Sequence, residues 1–198
     1  PSVWAMAVSP TDDPELPKVV CAAGSHLDPD QAQRSALNEL GPILAGMVRG
    51  YRNERDRAAE MATDPDAVKA MSDHSILYGN HTVFDRFAFL RRAGATDRVP
   101  PIDLPETDDL GVDLRTVIDR LARHGLDVIV VDQTTPEHRA GGLACVKVII
   151  PGTLPMTFGH RFRRIEGVPR LLKMPVLLGH ATHDLEPHEL NPHPHPFP

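Results

Sequence analysis

A cluster of arginines in the last third of the chain is the first feature that could bind a charged ligand. Its members share a segment rich in glycine and proline: Arg161, Arg163, Arg164 and Arg170. Planar guanidinium groups bind phosphate oxygens through paired hydrogen bonds, so this segment could contact a triphosphate. A basic surface loop is the alternative interpretation, because the chain has neither a GxxxxGK(S/T) phosphate loop nor a GxGxxG dinucleotide motif.

Glu39 is the second candidate. It lies in the segment QAQRSALNELG, which follows a glycine-containing turn. Mg²⁺ binds hard oxygen ligands and usually keeps waters and substrate phosphates in its coordination shell. Glu39 is therefore a candidate metal ligand, and a solvated helix charge is the alternative.

The C-terminal tail combines histidines with alternating prolines. Alternating prolines favour an extended left-handed chain that has no internal hydrogen bonds. Such a tail is either disordered or inserted into a groove, and composition does not separate these alternatives. Zinc binding is a further hypothesis, although no cysteine lies nearby. The histidines are His180, His183, His188, His193 and His195.

The elements that must position these residues begin with an apolar hairpin. Val3–Val8 and Lys18–Ala23 read as strands separated by a turn-rich segment. Asp28 then marks the start of a helix that is predicted to reach Met47 or beyond, with Pro42 inside it.

Further helices are predicted downstream. Asn53–Ala62 reads as a charged, solvated helix, and Asp64 with the following proline opens another short one. Thr82–Arg92 carries apolar residues at helical spacing, which predicts a core-facing helix. Gly94–Gly111 is rich in Pro, Asp and Thr and is predicted to be a linker between sub-lobes.

The second half reads as helix and strand. Val112–Arg123 is a predicted helix that Gly125 ends, and Val128–Val131 is a predicted buried strand. Leu143–Ile150 supplies another strand. The pattern predicts an α/β fold.

Composition excludes several classes of function. The formal charge of −6 has no basic block that would neutralise a nucleic-acid backbone. No stretch approaches the roughly 20 apolar residues of a membrane span, and no signal peptide is apparent, so we expect a cytoplasmic location. Cys21 and Cys145 stand in apolar runs and are expected to be reduced and buried.

Three stretches resemble the YcaO proteins of thiazole/oxazole-modified microcin and related peptide pathways. They are AGSHLDPDQAQRSALNEL, the long run that contains PGTLPMTFGH, and the terminal PHPFP. The similarity spans nearly the whole chain in the expected order.

The resemblance implies a fold and a reaction. We expect an α/β, YcaO-like lobe with a mixed sheet flanked by helices, in which residues 1–178 are the C-terminal portion of a YcaO domain and 179–198 an extended Pro/His-rich tail. The implied activity is the ATP- and Mg²⁺-dependent cyclodehydration of Cys, Ser or Thr residues in a ribosomally made precursor peptide to thiazolines or oxazolines.

The resemblance also implies roles for individual residues. Glu39 matches a glutamate that helps to bind Mg²⁺ and ATP, and Arg170 matches an arginine near the nucleotide phosphates. Pro194, Pro196 and Pro198 match the Pro-x-Pro-x-Pro terminus of azoline-forming members, which reaches toward the active site. There the final carboxylate could act as a general base or orient the substrate.

Two departures from the family pattern leave alternatives open. Pro42 stands where the family commonly has Glu or Gln, and the earlier motif Ser-x-x-x-Glu-x-x-Glu-Arg is not found in the chain. The amino-terminal YcaO half could be a separate or missing segment, with a leader-peptide-binding protein or a homo-oligomer as further possible partners. The competing hypotheses are a non-catalytic YcaO-like partner that binds or presents the precursor, a thioamide-forming enzyme that uses external sulfide, and a histidine-rich metal binder.

Overall fold

The computed structural model describes residues 1–92 and 107–198. These residues form two compact units. The linker predicted for Gly94–Gly111 falls largely outside the described residues. The first unit contains 1–92, 156–163 and 191–198, and the second contains 107–155 and 164–190.

The first unit begins with the predicted hairpin. Strands β1 (Ser2–Val8) and β2 (Val19–Ser25) pair in an antiparallel register along their whole length. The connecting loop closes where the Ser9 N–H donates to the Lys18 carbonyl at 2.9 Å. The prediction of two adjacent apolar strands is confirmed.

Helix α1 (Pro29–Gly50) packs on this hairpin. Asp28 caps its first turn, because the carboxylate accepts a hydrogen bond from the Asp30 N–H at 2.9 Å. Ala32, Ala36 and Leu40 form its buried face. Gly24 permits the close approach, since a Cβ there would lie 2.3 Å from the Ala32 carbonyl oxygen.

Pro42 lies inside α1, as predicted, on an exposed part of the helix surface. A proline in a helix interior removes one backbone hydrogen bond. At this position the freed carbonyl of Asn38 is near solvent, since Asn38 and its neighbour Glu39 are both exposed. The helix therefore continues for two further turns beyond the proline.

Within residues 51–92, three shorter helices follow α1, and 3-10 turns connect them. The helix predicted over Asn53–Ala62 is confirmed, with its start displaced by two residues, and the aromatic stripe after Thr82 supplies the buried Val83 and Phe87. The helices are α2 (Arg55–Thr63), α3 (Met71–Gly79) and α4 (Ala88–Arg92), and the turns are Tyr51–Glu54, Pro65–Ala67 and His81–Phe87.

Helix α3 was not predicted from the sequence, yet it is the most enclosed of these helices. All residues from Asp73 to Gly79 are buried. A helix that is surrounded by protein on every side lacks the one-sided apolar pattern by which amphipathic helices are recognised. Gly79 ends it against the ring of Tyr51, where a Cβ would lie 2.3 Å from the nearest ring carbon.

In the described part of the second unit, 107–155 and 164–190, there are three α-helices and one hairpin. Helix α5 (Leu110–Arg123) is capped by Asp109 and is followed by Gly125, whose φ of +71° confirms the predicted stop. The strands and remaining helices are β3 (Ile129–Asp132), α6 (Pro136–Ala140), β4 (Val146–Ile149) and α7 (Pro169–Leu177).

The prediction that β3 is buried was wrong. Among the described residues it pairs with β4 alone, in an antiparallel hairpin, and its residues Ile129, Val130 and Val131 are 42–56% exposed. A two-stranded sheet has no further layer to cover both of its faces, so alternating side chains on either side remain open to solvent.

The α/β fold class is confirmed. Within the described residues, two separate two-stranded antiparallel sheets stand in place of the mixed sheet that we expected, and helices pack on the β1–β2 sheet of the first unit. Of the predicted tail 179–198, residues 191–198 form no helix or strand and belong to the first unit, whereas 179–190, which include the 3-10 turn Pro187–Glu189, belong to the second. For residues 191–198, the burial of Pro194 and Pro196 favours insertion into a groove.

Candidate active site

The three tail prolines are packed against protein. Pro194 and Pro196 are buried, and Pro198 is partly buried. Pro194 ranks among the largest fully buried side chains of the described residues. The end of the tail therefore contributes to the packing of the first unit, because proline rings and the intervening aromatic rings fill a groove there.

Helix α3 anchors the tail through backbone carbonyls. The Tyr78 hydroxyl donates to the Pro194 carbonyl at 2.5 Å, and the His74 Nδ1–H donates to the His195 carbonyl at 2.8 Å. An extended proline-rich chain makes no internal hydrogen bonds, so its carbonyls are available to such donors. Two consecutive carbonyls are thus held by side chains one helical turn apart.

Ring contacts reinforce these hydrogen bonds. The imidazoles of His74 and His195 stack with centroids 3.9 Å apart and an interplanar angle of 13°. Phe158 meets the His74 ring edge-on at 5.8 Å. At the end of the tail, Phe197 packs against Trp4 of β1 with centroids 5.1 Å apart.

Residues 156–163, which overlap the end of the PGTLPMTFGH segment, also contact the tail. The Thr157 carbonyl accepts from the His195 Nε2–H at 3.0 Å, and the His160 N–H donates to the Val68 carbonyl at 3.0 Å. Gly159 is required here by its φ of +89° and by Phe162, whose ring would lie 2.6 Å from an added Cβ.

The first residue of the 191–198 segment is held by one of the candidate phosphate-binding arginines. Arg163 Nη1 donates to the Asn191 carbonyl at 3.0 Å. Arg161 instead lies over the Phe162 ring, 4.7 Å from its centroid. Arg161 and Arg163 belong to the first unit, whereas Arg164 and Arg170 belong to the second. The predicted arginine cluster is therefore divided between the two units.

A buried carboxylate organises the first turn of α3. Asp73 accepts hydrogen bonds from the backbone N–H groups of Lys69 and Ala70 at 2.9 and 3.0 Å. It also forms an ion pair with Arg57 of α2. These contacts fix the residue next to His74, and so they orient the helix that holds the tail.

The histidines around the tail favour the neutral form. Burial lowers the pKa of His74, and its hydrogen bond to the His195 carbonyl opposes that effect. Burial, followed by the Arg163 charge, lowers the pKa of His160. Burial and then the Arg86 charge lower the pKa of His193. Around neutral pH, His74, His160 and His193 therefore favour the uncharged form.

Glu39 and Arg170 lie in different units. Glu39 is exposed near the middle of α1 in the first unit. Arg170 follows Pro169 in the first turn of α7 in the second unit. There it lines a cavity of about 330 Å³, whose other lining residues are Gly152, Leu154, Val168, Leu171, Met174, Pro175, Leu178 and His180.

Within residues 1–92 and 107–198, no group of three His, Cys, Asp or Glu side chains is arranged to hold a metal ion. His183 of the histidine-rich segment instead lies 3.6 Å from the Glu189 carboxylate. A search of the same residues for a helix long and apolar enough to cross a membrane also finds none.

His74 and Tyr78 are functional candidates that sequence reasoning missed. They stand one turn apart in the run MSDHSILYG, where no motif draws attention to them. The sequence contains one weak indication of their role. If the apolar run is buried, the polar atoms of the His and Tyr rings within it need hydrogen-bond partners.

Comparisons with known proteins agree with this architecture. The family model described as YcaO cyclodehydratase, ATP- and Mg²⁺-binding, matches residues 1–154. No curated protein sequence matches the chain.

Two solved structures are similar over 100% of the chain, and each is 26% identical to it. One is a heterocyclase in complex with substrate and cofactor, with a TM-score of 0.65. The other is the heterocyclase TruD, with a TM-score of 0.60. The chain spans 23% of the length of each of these heterocyclases. The family match, which covers more than half of the chain, shows that the chain belongs to the YcaO cyclodehydratase family.

Proposed function

We propose that this chain takes part in the ATP- and Mg²⁺-dependent cyclodehydration of Cys, Ser or Thr residues in a ribosomally made precursor peptide. The observation that carries the proposal is the similarity, over the whole chain, to a heterocyclase that holds substrate and cofactor. The products are thiazolines from cysteine and oxazolines from serine or threonine, as in the biosynthesis of thiazole/oxazole-modified peptides.

In this reaction the peptide side chain adds to the carbonyl carbon of the preceding residue, and the amide oxygen then leaves. Bound ATP would supply the phosphoryl group that turns this oxygen into a good leaving group. The protein's task is to bind the peptide and nucleotide, align them and stabilise the developing charge.

The proposed nucleotide contacts are Glu39 and Arg170. Mg²⁺ bound to a nucleotide is commonly held by one or two carboxylates, with phosphates and waters completing its shell. The exposed Glu39 carboxylate fits that requirement as one ligand. Arg170 carries a guanidinium at an otherwise largely apolar cavity, where it would meet phosphate oxygens in the bidentate geometry that arginine favours.

The proposed role of Pro194, Pro196 and Pro198 is to carry the chain terminus to the reacting groups. Their support is the groove, because buried rings and carbonyl anchors hold the tail in one extended conformation. A terminus held in this way could orient the substrate or accept a proton. We retain 1–178 as the proposed YcaO portion and 179–198 as the proposed tail.

The proposal also includes partners and a location. The precursor peptide is the substrate. Because the chain spans 23% of the matching heterocyclases, the amino-terminal YcaO half or a leader-peptide-binding protein would complete the enzyme. Self-association is a further possibility, and the cytoplasm, which supplies ATP and precursor, is the proposed location.

A non-catalytic protein that presents the precursor is the second candidate. Pro42 favours it, because this residue lies on the exposed surface of α1, one turn after Glu39. A proline there offers no side-chain oxygen where family members commonly have one.

The proposal is tested by calorimetric titration of the chain with Mg²⁺ and ATP. The titration is done with and without the complementary YcaO polypeptide. We expect binding by the completed enzyme, with weaker binding in Glu39→Gln and Arg170→Ala. The matched controls are Glu60→Gln and Arg123→Ala, which alter exposed helix residues outside the proposed site. Absence of nucleotide binding in both settings would favour the presenting protein.

A further inference from the structure

We propose that His74 is a positioning residue that, as its Nδ1–H tautomer, holds the C-terminal tail in the register that azoline formation requires. The catalytic part of this inference rests on the proposed function, whereas the tail-holding part stands on geometry alone. His74 is 0% exposed and connects three segments of the first unit: α3, residues 156–163 and the tail.

The hydrogen bonds assign the tautomer. Nδ1 lies 2.8 Å from the His195 carbonyl oxygen, which can only accept, so Nδ1 carries the proton. Nε2 faces the Gly159 N–H at 3.4 Å, which can only donate, so Nε2 presents its lone pair. Of the three protonation states of imidazole, only the neutral Nδ1–H form satisfies both partners.

The tail needs such an anchor because its prolines offer few backbone groups that could fix its position along the groove. Prolines lack the N–H groups that would fix an extended segment to a neighbour. A polyproline chain advances about 3.1 Å per residue, so a slip by one residue would displace the terminus by about that distance. His74 and Tyr78 bind successive carbonyls, those of His195 and Pro194, and so select one register.

Protonation would disrupt this arrangement. A doubly protonated His74 would point a second donor at the Gly159 N–H and place a charge beneath the stacked His195 ring. The other groups that act on His74 electrostatically are Asp73, which is paired with Arg57, and His160. The Asp73 charge favours an imidazolium at His74, and the paired Arg57 guanidinium offsets part of that charge.

Two substitutions separate anchoring from packing. His74→Phe keeps an aromatic ring to stack on His195 but loses both hydrogen bonds. His74→Asn keeps an N–H donor near the Nδ1 position and should restore the bond to the His195 carbonyl. His81→Phe is the matched control, because it also removes a bond from imidazole to a backbone carbonyl, that of Leu16, outside the tail groove.

The fluorescence emission of Trp4 reports directly on the position of the tail. It is the single tryptophan of the chain, and Phe197 packs on its ring. At neutral pH we expect a red-shifted Trp4 emission in His74→Phe, a smaller shift in His74→Asn and none in His81→Phe. In the completed enzyme, kcat for azoline formation should fall on the order of 100-fold in His74→Phe at unchanged KM for ATP, since small displacements of a positioning group cost rates of that size. His74→Asn should recover part of that loss.

If His74→Phe has the same Trp4 emission and the same kcat as the wild type, the proposed role of His74 is overturned. Should that variant fail to fold, nitrogen NMR of His74 in the wild-type protein decides: an Nδ1–H signal supports the proposal, and an Nε2–H tautomer refutes it. If the wild-type enzyme forms no azoline, the proposed function fails, while Trp4 emission and the His74 tautomer still decide whether His74 holds the tail.

Discussion

The two units use similar apolar sequences in opposite ways. In the first unit, the run Ser75–Gly79 on α3 is buried on every side and packs into the cluster that includes Val19, Met61 and Phe87. In the second unit, the apolar residues of β3 and β4 are all exposed. Apolar composition therefore does not by itself report burial, because burial depends on whether other layers cover the element.

The tail contributes to this difference. Residues 191–198 directly follow the second unit in the sequence, but their rings pack in the first unit. Phe197 packs against the main core cluster and Pro194 is itself fully buried. The first unit is thus completed by the last residues of the chain, which makes its folding dependent on the same segment that we propose for catalysis.

The largest expected effect is a difference in the free energy of unfolding between substitutions in the two apolar runs. Leu77→Ala in α3 should lower the free energy of unfolding by about 3 kcal/mol, because it leaves a cavity in a close-packed core. Val130→Ala in β3 should cost less than about 1 kcal/mol, since this side chain is 56% exposed. Urea unfolding followed by circular dichroism measures both values, and equal losses would contradict the comparison.

The next effect concerns the tail. Phe197→Ala should destabilise the first unit by about 2 kcal/mol, since its ring is partly buried against Trp4 and the core. Phe89→Ala, at a ring that is 59% exposed, is the matched control and should cost about 0.5 kcal/mol or less. A Phe197 variant as stable as this control would show that the tail does not complete the core.

A pH dependence should follow from the groove histidines. The folded-state pKa values of His74, His160 and His193 are lowered, chiefly by burial. Below the ordinary histidine pKa of about 6.5, the unfolded chain therefore binds more protons than the folded one. Stability should be fully present above that pH and should decrease as the pH falls below it. Urea midpoints that stay constant between pH 8 and pH 5 would contradict this expectation.

The smallest effect distinguishes the two cysteines. Cys21 is buried in β2, and burial raises the pKa of its thiol to about 11, whereas Cys145 in the second unit is partly exposed. Counting thiols with a small alkylating reagent at neutral pH should therefore modify Cys145 first, and Cys21 only after unfolding. Rapid modification of both would contradict the enclosure of the first unit. The prediction that both cysteines are buried is confirmed only for Cys21.

Local signals in the sequence were sufficient for several elements. The capped start of α1 at Asp28, the paired apolar runs of β1 and β2, and Gly125 after α5 each depend on neighbouring residues, and each is confirmed. The family was predicted correctly from the residues that resemble its glycine turn, its long C-terminal run and its proline terminus.

Long-range packing accounts for what the sequence did not reveal. The partner of His74 lies 121 positions away in the chain, so no local pattern connects the two residues. The exposure of β3 and the division of the arginines between two units likewise depend on which layers meet in space. The roles of Glu39, Arg170 and the tail prolines remain predictions.

The central claim is tested most directly by incubating the chain, its complementary YcaO polypeptide, Mg²⁺, ATP and candidate precursor peptides, and then measuring peptide masses. We predict the ATP-dependent loss of one water for each Cys, Ser or Thr that is cyclised, much reduced in Glu39→Gln and retained in Glu60→Gln. Nucleotide binding without any loss of water from peptides that the complex binds would contradict the cyclodehydratase assignment.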